Sequence, residues 1–159
     1  VCGGGAEDAA ACVLAEAVGR ALAAEGAVLV CGGLGGVMRA AARGACGGGG
    51  LTIGVLPGRD AAEANPWIAL PLPTGMGEGR NVLVVRFAEA VIAIGGEWGT
   101  LSEVALARRI GVPVVLLAPT LAAGLGLDEA SSPADAVRRA LEAARRTGPP
   151  ASRQSRAQP

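Results

Sequence analysis

The residues of this chain best suited to chemistry lie in one run, Gly95-Gly96-Glu97-Trp98-Gly99-Thr100-Leu101-Ser102-Glu103. Before it, Ala90-Val91-Ile92-Ala93-Ile94 reads as a buried parallel strand, and Thr100 opens a predicted helix. Glycines let the backbone approach a ligand closely. A helix start adds N–H donors without intrahelical partners and the positive end of a dipole. Strand, glycine turn and helix N-terminus in that order make a cradle for phosphate, with Gly95, Gly96, Gly99 and Thr100 as its candidate contacts. The same letters also spell a capping box, Thr100-x-x-Glu103, in which both side chains only satisfy the first turn of a helix. The residues alone leave both readings open.

Two further glycine turns follow strand-like segments: Gly3-Gly4-Gly5 after Val1-Cys2, and Gly32-Gly33-Leu34-Gly35-Gly36 after Ala27–Cys31. Gly3, Gly4, Gly32, Gly33, Gly35 and Gly36 therefore join the candidate ligand contacts. Neither turn matches G-x-G-x-x-G, and no acidic residue follows the second strand where a dinucleotide fold holds its ribose, so ordinary NAD binding does not fit.

Two absences narrow the chemistry. All 14 basic residues are arginine, which removes a Schiff-base lysine, pyridoxal phosphate catalysis and the lysine of a P-loop. There is no histidine, so Ser-His and Cys-His pairs and histidine-ligated metals are excluded within the chain. Cys2, Cys12, Cys31 and Cys46 lack C-x-x-C spacing and read as buried reduced thiols, with no metal site predicted.

The elements that must position these residues follow from composition and periodicity. The chain has 159 residues, 51% of them hydrophobic but only 2% aromatic, a core of small and branched side chains suited to helices on a parallel sheet. Glu7-Asp8 starts a helix that Gly26 stops after Glu25. Predicted strands are Val1-Cys2, Ala27–Cys31, Leu51–Leu56, Ala90–Ile94 and Val112–Ala118, with a short one around Ile68–Leu72 inside the loose stretch Pro57–Gly79. Helices are predicted over Val37–Ala45, Arg80–Ala88, Thr100–Ile110 and Ala134–Arg146, the last opened by Pro133 and carrying the solvated ladder Arg138-Glu142-Arg146. The alternation implies a three-layer, Rossmann-like open parallel α/β sheet, one domain over residues 1–146, with a disordered tail over 147–159. Ligands of such sheets bind beyond the strand C-termini, where the three glycine turns fall. A formal net charge of +0 gives no footprint for nucleic acid, and no apolar run is long enough to span a bilayer. The expectation is a cytoplasmic protein.

Taken together, Cys31-Gly32-Gly33-Leu34-Gly35-Gly36-Val37-Met38, Gly79-Arg80-Asn81 and the Gly95–Glu103 run resemble the Lonely Guy superfamily, many of whose members were labelled "possible lysine decarboxylase". The hormone-activating branch carries an Arg-Lys pair and a P-G-G-x-G-T-x-x-E run. Here Arg80 falls on the arginine, Asn81 on the lysine and Glu103 on the glutamate, while Gly95-Gly96-Glu97 replaces P-G-G. Gly-Arg-Asn, the Gly-Gly-x-x-Gly-Thr-Leu-Ser-Glu run and Glu63-Ala64-Asn65-Pro66 look closest to a sister branch that includes molybdenum-cofactor carrier proteins. The resemblance spans roughly Val1 to Ala118. It implies a homo-oligomer, dimer or tetramer, that binds a phosphorylated heterocycle, a nucleoside monophosphate or the molybdenum cofactor, as a carrier. The alternatives are a nucleoside 5′-monophosphate phosphoribohydrolase, with Arg80 and Glu103 catalytic, and a structural oligomer with a decayed site. Trp98 would stack on the heterocycle or pack at a subunit contact.

Overall fold

The computed structural model describes residues 1–5 and 8–147. Its strands are β1 (Cys2–Gly3), β2 (Leu29–Cys31), β3 (Thr52–Leu56), β4 (Leu70–Pro73), β5 (Val91–Ile94), β6 (Val114–Leu117) and β7 (Asp128–Ala130). The helices are α1 (Ala9–Ala24), α2 (Gly36–Gly47), α3 (Asn81–Arg86), α4 (Trp98–Ile110) and α5 (Pro133–Thr147). Short 3-10 turns cover Ala61–Glu63 and Gly77–Arg80. The fold is the expected α/β alternation.

All strand pairs are parallel, in two hydrogen-bonded ladders ordered β1-β5-β6-β7 and β2-β3-β4. The sequence reading implied one continuous sheet. The ladders divide because β1 contributes two paired residues, Cys2 to Ala93 and Gly3 to Ile94, and meets β2 through Val1 N–H donating to Val30 O at 2.7 Å. The chain steps from β1 through β4 in one direction and then crosses to place β5 on the other side of β1. That reversal opens a crevice at the C-terminal ends of β1 and β5.

Local signals explain most helix ends. Asp8 caps α1 by accepting from Ala10 N and Ala11 N, and Gly26 follows the helix at φ +69°. The acidic start assigned to Glu7 lies outside the described residues. α4 ends at Gly111, left-handed at φ +82°. Thr147, expected in the tail, is the last residue of α5, where its hydroxyl donates to Ala143 O at 3.1 Å. The rest of the expected disordered tail lies outside the described residues.

Helices α1, α2 and α5 pack on one face around Val18, Leu22, Val37, Ile92 and Ile94. The other face buries Cys2, Val85, Ala93, Val104 and Leu116 under α3 and α4. α1 crosses α2 where Gly19 and Gly44 each face the partner helix backbone, so close that a Cβ on Gly19 would stand 2.8 Å from Ala45 N. Such a contact suits a core made of alanine and valine rather than aromatic rings.

Two segments differ from expectation. β7, with Asp128 and Glu129 exposed, has no apolar period to announce it and exists through pairing with β6. The Arg80–Ala88 helix is instead a 3-10 turn ending at Arg80 followed by α3, which stops at Arg86.

Candidate functional site

A cavity of about 270 Å³ opens at the C-terminal ends of β1, β2 and β5. Of the residues singled out in the sequence, Gly3, Gly4, Gly32, Arg80, Gly99, Thr100 and Glu103 line it. Gly33, Gly35, Gly36, Gly95 and Gly96 do not; among these, Gly33, Gly36, Gly95 and Gly96 hold positive φ angles that shape the turns behind the wall. Cys2, Gly5, Leu34, Met38, Glu78, Asn81 and Glu97 also contribute to the wall. A larger groove of about 600 Å³, at the opposite ends of the strands, is lined mainly by apolar groups such as Val28, Val30, Phe87, Ile92 and Leu141. Among the described residues its one ionisable side chain is Glu89, so the convergent polar chemistry belongs to the smaller cavity.

The glycine turn after β5 leads into α4 two residues earlier than the sequence suggested. Trp98 is the first helical residue, Glu97 stands extended before it at φ −106°, and no side chain caps the end. Thr100 is thus the third residue of the helix, and the capping-box reading of Thr100 and Glu103 is overturned. Leu101 N is already paired with Glu97 O at 2.9 Å, while the amides of Trp98, Gly99 and Thr100 precede the first residue that can reach a carbonyl inside the helix. Gly96, at φ +119°, lies against the Thr100 side chain; a Cβ there would come within 2.7 Å of Thr100 Cβ.

Released from capping, Glu103 turns inward, one helical turn below Thr100, and is only 6% exposed. Arg80 reaches it from the 3-10 turn before α3 and is 7% exposed. Nη1 of Arg80 lies 3.7 Å from Oε1 of Glu103, an ion-pair distance but too long for a hydrogen bond. Nε of Arg80 is buried and has no hydrogen-bond partner among the described residues. The guanidinium rests on Gly32, where a Cβ would stand 2.7 Å from Arg80 Cζ and 2.6 Å from Met38 Sδ. Only glycine leaves room for both side chains at this point.

Burial pushes the Glu103 carboxyl up to about 7, against the opposing pull of Arg80. Burial also raises the Cys2 thiol well above its ordinary value, with the Glu103 charge adding to the effect. The thiol and the carboxyl thus sit close enough to influence each other's ionisation. Asn81 takes a different part from Arg80: its Nδ2 donates to Ser102 Oγ at 3.1 Å, and that hydroxyl donates to Gly99 O at 2.7 Å. This relay ties the start of α3 to the first turn of α4 and fixes the cradle relative to Arg80. From the segment after β3, Asn65 Nδ2 donates to Gly33 O and Leu34 O at 3.1 and 2.9 Å, holding the neighbouring wall.

Sequence reasoning brought Arg80 and Glu103 together and missed Cys2 and Met38 as wall residues. Cys2 was read only as a buried thiol; its place at the end of β1, between the first glycine turn and the crevice, was the available signal.

The SLOG cluster4 family model matches residues 1–145. An uncharacterized protein of Archaeoglobus fulgidus is 43% identical over 106 residues, 67% of this chain and 70% of that protein. Among solved structures, the molybdenum cofactor binding protein of Rippkaea orientalis is 36% identical, covering 86% of this chain and 89% of its own, with a TM-score of 0.80. The molybdenum cofactor carrier protein of Chlamydomonas reinhardtii is 31% identical, covering 89% of this chain and 93% of its own, with a TM-score of 0.79.

Proposed function

From a chain that belongs to the SLOG cluster4 family, we propose a protein that binds a phosphorylated heterocycle of the molybdenum-cofactor kind and carries it without chemical change. The observation that carries this reading is Arg80: a guanidinium buried at the cavity wall, with Nε unpartnered and Glu103 beyond hydrogen-bond reach. A buried donor left without a partner costs roughly 1–3 kcal/mol, a cost that a ligand oxygen relieves. A guanidinium offers donors in a fixed fork suited to phosphate. The first turn of α4 faces the same space through Gly99 and Thr100. Likeness to the two cofactor-binding proteins supplies the ligand class.

In this reading Arg80, Gly99 and Thr100 hold the phosphate, and the heterocycle extends along Gly3, Gly4 and Gly32. The cargo's molybdenum chemistry serves whatever protein receives it; this chain contributes binding and shielding. A cavity of about 270 Å³ lies just below the range of roughly 300–1,000 Å³ usual for small-molecule sites, which fits a buried phosphate with part of the ligand outside. No described helix is long and apolar enough to cross a membrane.

The test is to incubate the protein with molybdenum cofactor freed from a donor enzyme and measure molybdenum that co-elutes with it. Stoichiometric retention, lost in Arg80→Ala, is expected; equal retention by that variant would move the site elsewhere. One observation favours the second reading, a phosphoribohydrolase: Glu103 stands in the cavity with a proton affinity near neutrality, as a general acid or base requires.

A further inference from the structure

Resting on the phosphate-site reading above, we propose that ligand binding here is proton-coupled: Arg80 exchanges the Glu103 carboxylate for the ligand phosphate, and Glu103 takes a proton from solution. The geometry is that of a pair ready to separate. At 3.7 Å, with no hydrogen bond between them and Nε of Arg80 unpartnered, the two side chains neutralise each other loosely. Both are more than nine-tenths buried and line the same small cavity. A phosphate placed on the guanidinium and the α4 amides brings at least one negative charge next to Glu103. Two anions sharing one arginine at a buried wall raise each other's proton affinity, and the weaker acid takes up a proton.

The surroundings point to Glu103 as the group that yields. From β1 it faces the Cys2 thiol; from the 3-10 turn before α3 it faces Arg80 and Glu78. Glu97 lies on the same wall at the start of α4. Arginine does not release its proton in proteins. The Cys2 thiol is held protonated by burial and by the carboxylate beside it. Burial already places Glu103 near neutrality, so a modest added charge is enough to protonate it. Once protonated, it becomes a donor, with the Cys2 sulfur on one side and the phosphate on the other. The proton comes from solvent, and no other group changes charge.

The consequence is an affinity that falls about tenfold for each pH unit above neutrality, under conditions where a phosphate monoester is already fully dianionic. The experiment is calorimetric titration of the whole chain with 5′-AMP as the probe at about pH 8, in two phosphate-free buffers of different ionisation enthalpy. A buffer-dependent heat corresponding to uptake of close to one proton is expected. Glu103→Gln should bind 5′-AMP at least as tightly at that pH, take up no proton and lose the pH dependence. Binding with equal heats in the two buffers overturns proton coupling while leaving the phosphate site standing. Proton uptake that persists in Glu103→Gln overturns the assignment to Glu103. Failure of wild type and variant alike to bind 5′-AMP or inorganic phosphate overturns the site itself, and the inference with it. The comparison of buffers on the wild-type chain needs no variant to fold.

Discussion

Replacing Glu103 by glutamine should change how stability depends on pH, with no ligand present. Burial raises the carboxyl from its ordinary 4.5 to about 7 in the folded chain. Each tenfold change in proton affinity corresponds to about 1.4 kcal/mol, so the full effect is on the order of 3 kcal/mol. The sign follows from linkage. Between these two values the folded state holds the proton more tightly than the unfolded one, so stability falls as pH rises. The stabilisation is fully present below about pH 4.5 and gone above about pH 8. Glutamine keeps the shape but never ionises, so its curve lacks this loss. Urea unfolding of both proteins at about pH 5 and about pH 8 measures the difference directly. The wild type should lose about 2.5 kcal/mol relative to the variant across that interval, about 5–10 °C in melting temperature for a chain of this size. Parallel pH dependences would refute a buried, raised carboxyl at Glu103, and with it the electrostatic account of the site.

Three further outcomes are expected. Gly32→Ala puts a methyl group against the Arg80 guanidinium and Met38 Sδ, and by displacing the arginine should weaken 5′-AMP binding by roughly 1–3 kcal/mol; unchanged affinity by calorimetry would show that Arg80 does not contact the ligand. Thr100→Val keeps the shape beside Gly96 but removes the hydroxyl, and should weaken the same binding by about 1 kcal/mol, whereas an unaffected constant would leave phosphate to the backbone amides alone. Incubation with 5′-AMP or an isopentenyl-adenosine monophosphate should release no free base above a Glu103→Gln control; release on the order of 1 per second, abolished in that control, would establish the hydrolase reading instead.

Strand–helix alternation and the edge where the candidate cavity opens were legible because small apolar runs, glycine turns and amphipathic helices each leave a local signature. The pairing of Arg80 with Glu103 was legible only through resemblance, since nothing local joins residues on different elements. Thr100-x-x-Glu103 misled because the capping pattern is real at the level of letters. It fails because Glu97 takes the extended conformation, and the helix therefore begins at Trp98. Glycine counting overreached for a related reason. Gly33 and Gly96 serve backbone angle and close packing, Gly32 makes room for a side chain, and letters alone do not separate these uses. β7 was invisible because three residues, two of them acidic, carry no apolar period and owe their extended form to pairing with β6.

The placement of Trp98 has an optical consequence. The chain has no tyrosine and two tryptophans, so its ultraviolet emission comes from Trp67 and Trp98. Trp67 is 39% exposed beside the Asn65 anchor, whereas Trp98 is 76% exposed at the first position of α4, between the wall residues Glu97 and Gly99. An indole in water emits at longer wavelength than one partly shielded by protein, so the two signals separate by colour. If the proposed heterocycle binds, it should quench the red component first, because Trp98 stands between two wall residues. Binding can therefore be followed on the unmodified chain, with Trp98→Phe as the silent reference.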